Sequence, residues 1–228
     1  MALSTVTRWN DERMSDLLDR LARVDTASLC DAGPGLRVAG PELRPIVAGT
    51  RMVGRAVTAD ARDDLMPVLG ALELAGPGDV LIVAAGGPRA MAGELFVTEA
   101  LRCGLAGIII DGFCRDLPML VTLGLPVFAR GATPRAAPAT AVPTVQVPVT
   151  IAGIAVDPGD LVVADDDGIV VGTEAELLAA VVTAEAIVAR EQVLRQSIED
   201  GVSLFDRVSF SEHAAKLAEG EPSALRFL

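Results

Sequence analysis

Three observations predict an α/β fold. Segments with helical periodicity alternate along the chain with short β-like runs, the pattern of strands connected by helices. The run Gly107-Ile108-Ile109-Ile110 is apolar throughout, as a buried strand is. Turn residues separate the runs, notably Gly76-Pro77-Gly78-Asp79 ahead of Val80 and Pro158-Gly159-Asp160 ahead of Leu161. At 228 residues the chain suffices for one well-buried domain and is short for two, so a single domain over 1–228 is expected.

The elements follow in order. Over residues 11–24, Leu17, Leu18, Leu21 and Val24 share a helical face opposite Asp and Arg, which predicts an amphipathic opening helix. Residues 26–40 are turn-rich and read as a connection. Strands are expected at 52–59 and 80–85, with a helix at 65–75 between them. Residues 86–93 form a glycine-rich segment that runs into a helix at 94–103, stopped by Gly104. A strand at 107–110, a short helix at 117–123 and a strand beginning at 126–128 come next. Residues 129–141, rich in Pro, Ala and Arg, read as a long surface loop.

Further strands fall within 145–156 and 161–171, the latter broken by Asp165-Asp166-Asp167-Gly168. That acidic run has the form of a metal cluster, but Asp-Gly between β-rich runs favours a tight hairpin turn. Thr173 with Glu176 three residues on forms a capping box, opening a helix to about Asp200 that Gly201 stops. At ~1.5 Å per residue this helix exceeds 35 Å, enough to reach a neighbouring subunit. Beyond Val202 only a short helix at 211–218 is expected.

Composition narrows the function. Hydrophobic residues make up 51% of the chain, yet no stretch approaches the ~18 apolar residues of a membrane span. The first ten residues lack a secretory pattern, so a cytoplasmic location is expected. With 19 basic against 31 acidic residues the net charge is −12, which disfavours nucleic acid and anionic lipid as partners. Cys30, Cys103 and Cys114 form no CxxC pair and are expected to be buried free thiols. Lys216 is the only lysine and His213 the only histidine, both in a polar stretch near the end, and there is no tyrosine. A Schiff-base lysine is therefore disfavoured, a multi-histidine zinc site cannot be built from one chain, and a Ser-His-Asp or Cys-His nucleophile would depend on His213 alone. Acid–base work falls to carboxylates, arginine and water, the partners of Mg²⁺ or Mn²⁺. No GxGxxG or GxxxxGK[ST] spacing occurs, so no nucleotide or S-adenosylmethionine site is supported.

Against that background, Arg115 and Asp116 stand out at the end of the 107–112 run, with Glu94 21 positions upstream. A guanidinium grips a carboxylate through paired hydrogen bonds, and carboxylates hold a hard divalent cation directly or through its waters. This combination suggests a metal-assisted site for an α-keto acid. The amides at the start of the 94–103 helix, around Glu94, Leu95 and Phe96 with Gly93 before them, could receive the substrate carboxylate. Alternative readings stand beside these. Asp116 could cap the helix that follows it, Glu94 could be a favourable first-turn acid, and the glycines could serve turns alone.

Four segments together resemble the RraA-like family: Gly93-Glu94 through Ala106-Gly107, Asp111-Gly112-Phe113-Cys114-Arg115-Asp116, the run from Gly124 to Gly131, and the run from Pro158 to Gly168. The resemblance covers roughly residues 26–201. That family includes 4-hydroxy-4-methyl-2-oxoglutarate/4-carboxy-4-hydroxy-2-oxoadipate aldolases and the regulator of ribonuclease activity A.

The resemblance implies a swivelling β/β/α domain, an RraA-like αββα sandwich, assembled as a homotrimer or hexamer. It implies a Mg²⁺- or Mn²⁺-dependent lyase that cleaves 4-hydroxy-2-oxo acids to pyruvate, with oxaloacetate decarboxylation through the same enolate. In that signature an acid precedes Arg-Asp by a 20-residue gap, which here falls on Glu94, Arg115 and Asp116. The acid is usually Asp, so Glu94 lengthens the arm by one methylene. The family analogy gives Asp116 the metal directly, gives Glu94 its waters or the water for proton transfer, and gives Arg115 the enolate oxygen. An acid from an adjacent subunit's long C-terminal helix is also implied, and Glu191 matches it best. The alternative that the same resemblance carries is a non-catalytic regulator that binds a ribonuclease or helicase.

Overall fold

Strand β4 (Asp79–Ala84) alternates its buried side chains between two cores, and this organises the sheet. The computed structural model describes residues 12–227. In chain order the helices are α1 (Glu12–Leu21), α2 (Thr26–Ala32), α3 (Met66–Leu74), α4 (Glu94–Arg102), α5 (Leu117–Leu123), α6 (Glu174–Glu199) and α7 (Phe210–Ala218). Besides β4, the strands are β1 (Arg37–Val38), β2 (Arg44–Pro45), β3 (Met52–Asp60), β5 (Ala90–Ala92), β6 (Gly107–Cys114), β7 (Val127–Ala132), β8 (Val149–Ile151), β9 (Ile154–Val156), β10 (Leu161–Asp165) and β11 (Gly168–Gly172).

One sheet takes the order β1-β11-β10-β3-β4-β6-β7-β2, with β5 also paired to β6. Its centre, β3-β4-β6-β7, is parallel, and the flanking pairs are antiparallel. Parallel strands need crossovers, and α3, α4 and α5 lie in the three connections. Leu81, Val83, Ile108 and Ile110 join Val68, Leu72, Val97 and Leu120 from those helices in one core. Val80, Ile82 and Ile109 face the other way, into a second core with Ile151 and Val156 of the β8-β9 hairpin. The sheet is thus covered by helices on one face and by a hairpin on the other, the β/β/α layering expected. Burial on both faces is why the central strands read as continuous apolar runs.

Two expectations are corrected. Residues 26–40 contain a helix, α2, because the Asp25 carboxylate accepts the Ser28 N–H at 2.6 Å and caps it. The 129–141 stretch is not all loop: β7 continues to Ala132, Ala136 bridges to Ala90, and Ala137 is buried.

The chain forms two compact units that divide within α6, the first ending at Ala184 and the second covering Glu185–Leu228. α6 opens with the expected capping box: the Thr173 N–H donates to Glu176 Oε2 at 2.7 Å and the Glu176 N–H to Thr173 Oγ1 at 3.3 Å. Its end is set by Gly201 at φ +93°, a left-handed position suited to glycine. In the second unit the Arg190 guanidinium lies 5.3 Å from the Phe227 ring centre, Phe205 meets Phe210 edge-on, and Lys216 pairs with Glu212 at 2.7 Å. No helix among the described residues is long and apolar enough to cross a membrane.

Candidate functional site

The site begins with an exchange of neighbours along β6. Its first half pairs with β4 as far as Ala84↔Asp111, and its second half pairs with β5, Ala90↔Phe113 and Ala92↔Cys114. Two parallel strands therefore end side by side. β5 leads directly into Gly93 and α4, and β6 leads into Arg115, Asp116 and α5. The carboxyl ends of parallel strands are where open α/β sheets place their ligands.

Backbone geometry then fixes the charged groups. The Arg115 N–H donates to the Ala92 carbonyl at 3.0 Å, stitching the two strand ends together. Asp116 sits at φ +61°, ψ +37°, a left-handed conformation that a residue with a side chain adopts at a cost. It precedes α5, but its side chain makes no capping bond to that helix. Instead Oδ2 accepts the Glu94 N–H at 3.1 Å and lies 3.5 Å from Arg115 Nε. The helix-cap reading of Asp116 is thereby set aside. Its carboxylate turns back to the start of α4.

Gly93 leaves room for the charged side chains of the site. A Cβ there would collide with Asp116 Oδ2 and would come within 2.9 Å of Arg115 Cγ. Glu94, half-buried, opens α4, where its acid complements the helix dipole. One first-turn amide is spent on Asp116. Those of Leu95 and Phe96 follow it in the turn where a helix has no internal acceptors.

Arg115, Asp116, Gly93, Leu95 and Phe96 line one cavity of about 180 Å³, which is completed by Leu65, Ala90, Ala92 and Ala136. The structure brings all of these sequence-identified residues together except Glu94, which adjoins the lining without being part of it, and Glu191. Glu191 is exposed on α6 in the second unit. The sequence reading missed Leu65, Ala90, Ala92 and Ala136. Leu65 and Ala136 are held in place by irregular contacts: the Leu65 N–H donates to the Pro138 carbonyl at 2.7 Å, and the Ala90 N–H to the Arg135 carbonyl at 2.8 Å. Beside them, Arg89 and Asp63 form an ion pair at 3.0 Å that ties the glycine-rich segment to the turn before Leu65. No periodicity announces such contacts, although the Asp63-Asp64 pair before an apolar helix was a usable signal of a shaped turn.

The remaining candidate nucleophiles do not join. Cys114 is buried, its thiol donates to the Gly131 carbonyl at 3.5 Å, and burial pushes its pKa up to about 11, so it stays a thiol at neutral pH. The other two cysteines are only half-buried, a correction to the expectation that all three lie inside.

Among the described residues no three His, Cys, Asp or Glu side chains come together as a metal cage. That donor set does not suit an ion needing three or four protein ligands. One open carboxylate with a second acid beside it does suit Mg²⁺, which dehydrates reluctantly and commonly binds through one or two carboxylates and its own waters.

With this geometry in place, comparison with known proteins is informative. A family model described as "RraA-like: Aldolase/RraA" matches residues 26–171. A protein of Halalkalibacterium halodurans named "Putative 4-hydroxy-4-methyl-2-oxoglutarate aldolase" is 35% identical over 159 residues, 68% of this chain and 76% of its own. A structure described as an uncharacterized protein from Pseudomonas syringae pv. tomato superposes with TM-score 0.74 at 30% identity, covering 84% of this chain and 96% of that one. Streptomyces coelicolor RraAS2, described as an unusual member of the RNase ES inhibitor RraA protein family, gives TM-score 0.69 at 31% identity over 82% of this chain and 99% of that one.

Proposed function

The chain belongs to the RraA-like family, and from that premise we propose that it is a divalent-metal-dependent lyase, releasing pyruvate from 4-hydroxy-2-oxo acids by retro-aldol cleavage. The observation that carries this reading is the convergence of Arg115, Asp116 and the open first turn of α4 on one cavity at the ends of β5 and β6.

In this reading the substrate carboxylate takes the amides of Leu95 and Phe96, where the helix dipole adds to the hydrogen bonds. Arg115 faces the keto oxygen and stabilises the negative charge that develops there as the carbon–carbon bond breaks. Glu94 positions the water that removes the proton of the C4 hydroxyl. Asp116 would hold the cation, with Glu94 and, in a homotrimer or hexamer, an adjacent copy's Glu191 as further acids near it. Mg²⁺ or Mn²⁺ at that position supplies positive charge to the keto-acid end of the substrate. Loss of CO₂ from oxaloacetate yields the same pyruvate enolate, so decarboxylation accompanies the aldol reaction. A cytoplasmic setting, where α-keto acids are abundant, accords with this chemistry.

A second reading, a regulator that binds a ribonuclease without catalysis, draws support from the likeness to the Streptomyces protein. The Asp116 carboxylate, which lines the cavity and makes no capping bond to α5, favours the enzyme.

The test is pyruvate release from 4-hydroxy-4-methyl-2-oxoglutarate and from oxaloacetate, with Mg²⁺ and with chelator. Turnover that requires the metal is expected with both substrates. Absence of turnover with both would reject the lyase, and binding to a ribonuclease would then be measured.

A further inference from the structure

The second unit buries little of its own apolar surface. Among its described residues only Val208 and Ser209 are buried, and three of the chain's six phenylalanines, Phe205, Phe210 and Phe227, lie exposed in it. This exposure is ordered. On α7, Phe210, Ala214 and Leu217 are exposed at spacings of four and three, which puts them on one helical face, while Glu212 and Lys216 pair on the opposite one. The helix is amphipathic, and its apolar side is the uncovered one. Phe205, 66% exposed, extends that side, because its ring meets Phe210 edge-on with centres 5.4 Å apart, and Leu204 adjoins it. At roughly 100 Å² for each of the four large side chains, the patch presents about 400 Å² of apolar surface. An aromatic patch of this size marks an interaction site.

Resting on the lyase reading, we infer that this patch of Leu204, Phe205, Phe210, Ala214 and Leu217 seats on a second copy of the chain and brings Glu191 to that copy's cavity, so that turnover depends on the seating. Glu191 belongs to the same unit as the patch, so the copy that lends the acid carries the patch with it. A receiving surface stands ready at the cavity. Leu95, in its lining, is 79% exposed, and on the helix that follows Asp116 so are Met119 and Val121 in part.

Each copy thus offers both the patch and a surface to receive it, the head-to-tail arrangement that closes into a ring. The patch supplies about half of the ~800 Å² that each partner gives to a standard interface, a large share for five side chains. Charge does not draw the copies together. At a net charge of −12 they repel at long range, so their contact rests on apolar area and strengthens as salt screens the repulsion.

Sedimentation of the full chain across a dilution series reads association, and pyruvate release with Mg²⁺ or Mn²⁺ reads the site independently. The wild type should be oligomeric, with a specific activity that falls as dilution dissociates it. Phe205→Glu, or Leu217→Glu should the first variant not fold, should weaken association by roughly a hundredfold and lower turnover in step. Co-expression adds a readout that a merely structural role would not move. Asp116→Asn and Glu191→Gln chains, each impaired alone, should regain turnover together, because a mixed oligomer contains sites with both acids intact. Adding Phe205→Glu to the Asp116→Asn chain should abolish that rescue. A wild type that is monomeric and fully active leaves the patch to a different partner and overturns the inference, as does a Phe205→Glu chain that stays oligomeric; both leave the lyase reading intact. Association that Phe205→Glu abolishes, with no pyruvate released by either protein, supports the interface and rejects the lyase reading.

Discussion

At the β10-β11 turn, Asp165 accepts hydrogen bonds from the Thr26 N–H at 2.9 Å, the Thr26 hydroxyl at 2.6 Å and the Asp167 N–H at 3.1 Å, whereas at the end of β6 Asp116 accepts one N–H, that of Glu94. Both are aspartates at strand ends beside a helix start, and from local sequence either could be a metal ligand. Protein donors engage both oxygens of Asp165, which ties α2 to the hairpin. Asp166 is likewise held, by the Gly49 N–H at 3.0 Å. Asp116 meets the Glu94 N–H and the Arg115 guanidinium through Oδ2, its backbone is left-handed, and it lines a cavity. What separates a structural acid from a chemical one is how fully the protein's own donors satisfy it.

The largest way to break this contrast is Gly93→Ala. The added methyl would displace the Asp116 carboxylate and the Arg115 side chain, while φ −151° at this position is ordinary extended backbone. Pyruvate release should fall by roughly a thousandfold, with the thermal unfolding midpoint nearly unchanged. Next, Arg115→Ala should lower kcat by roughly a hundredfold, because the exposed guanidinium contributes to the reaction more than to the fold. A drop in stability without loss of turnover, measured by thermal unfolding beside steady-state kinetics, would reverse its assignment.

The smallest effect concerns a third acid, Asp64, which resembles Asp165. Burial raises its pKa, but hydrogen bonds from the Met66, Thr140 and Ala141 N–H groups and the Thr140 hydroxyl outweigh this and hold the carboxyl below its ordinary value near 3.8. The stabilisation is then complete above that ordinary value and is lost as the pH falls through the lower folded one. Asp64→Asn should lower the unfolding midpoint at neutral pH and flatten its decline in the acid range below 3.8.

The same distinction explains what was legible in the sequence. Continuous apolar runs, turn glycines and the Thr173–Glu176 box are local signals, and they located β4, β6 and the start of α6. Spacing and resemblance singled out Glu94, Arg115 and Asp116, of which Arg115 and Asp116 line the cavity and Glu94 adjoins it. α2 was hidden because its cap, Asp25, sits ahead of a stretch whose glycines and proline read as turn. The apolar half of the cavity was hidden because Leu65 and Ala136 reach it through contacts to Pro138 and Ala90, which depend on chain segments distant in sequence. A left-handed φ at Asp116 leaves no mark in composition or periodicity either.

The central claim is that Asp116 serves chemistry and Asp165 serves structure, and one paired measurement tests it: metal-dependent pyruvate release and thermal unfolding for Asp116→Asn beside Asp165→Asn. Asp116→Asn should lose turnover and keep its stability, while Asp165→Asn should keep turnover and lose about 2 kcal/mol through its weakened hydrogen bonds. Full turnover by Asp116→Asn, with or without the loss in its counterpart, would contradict the account.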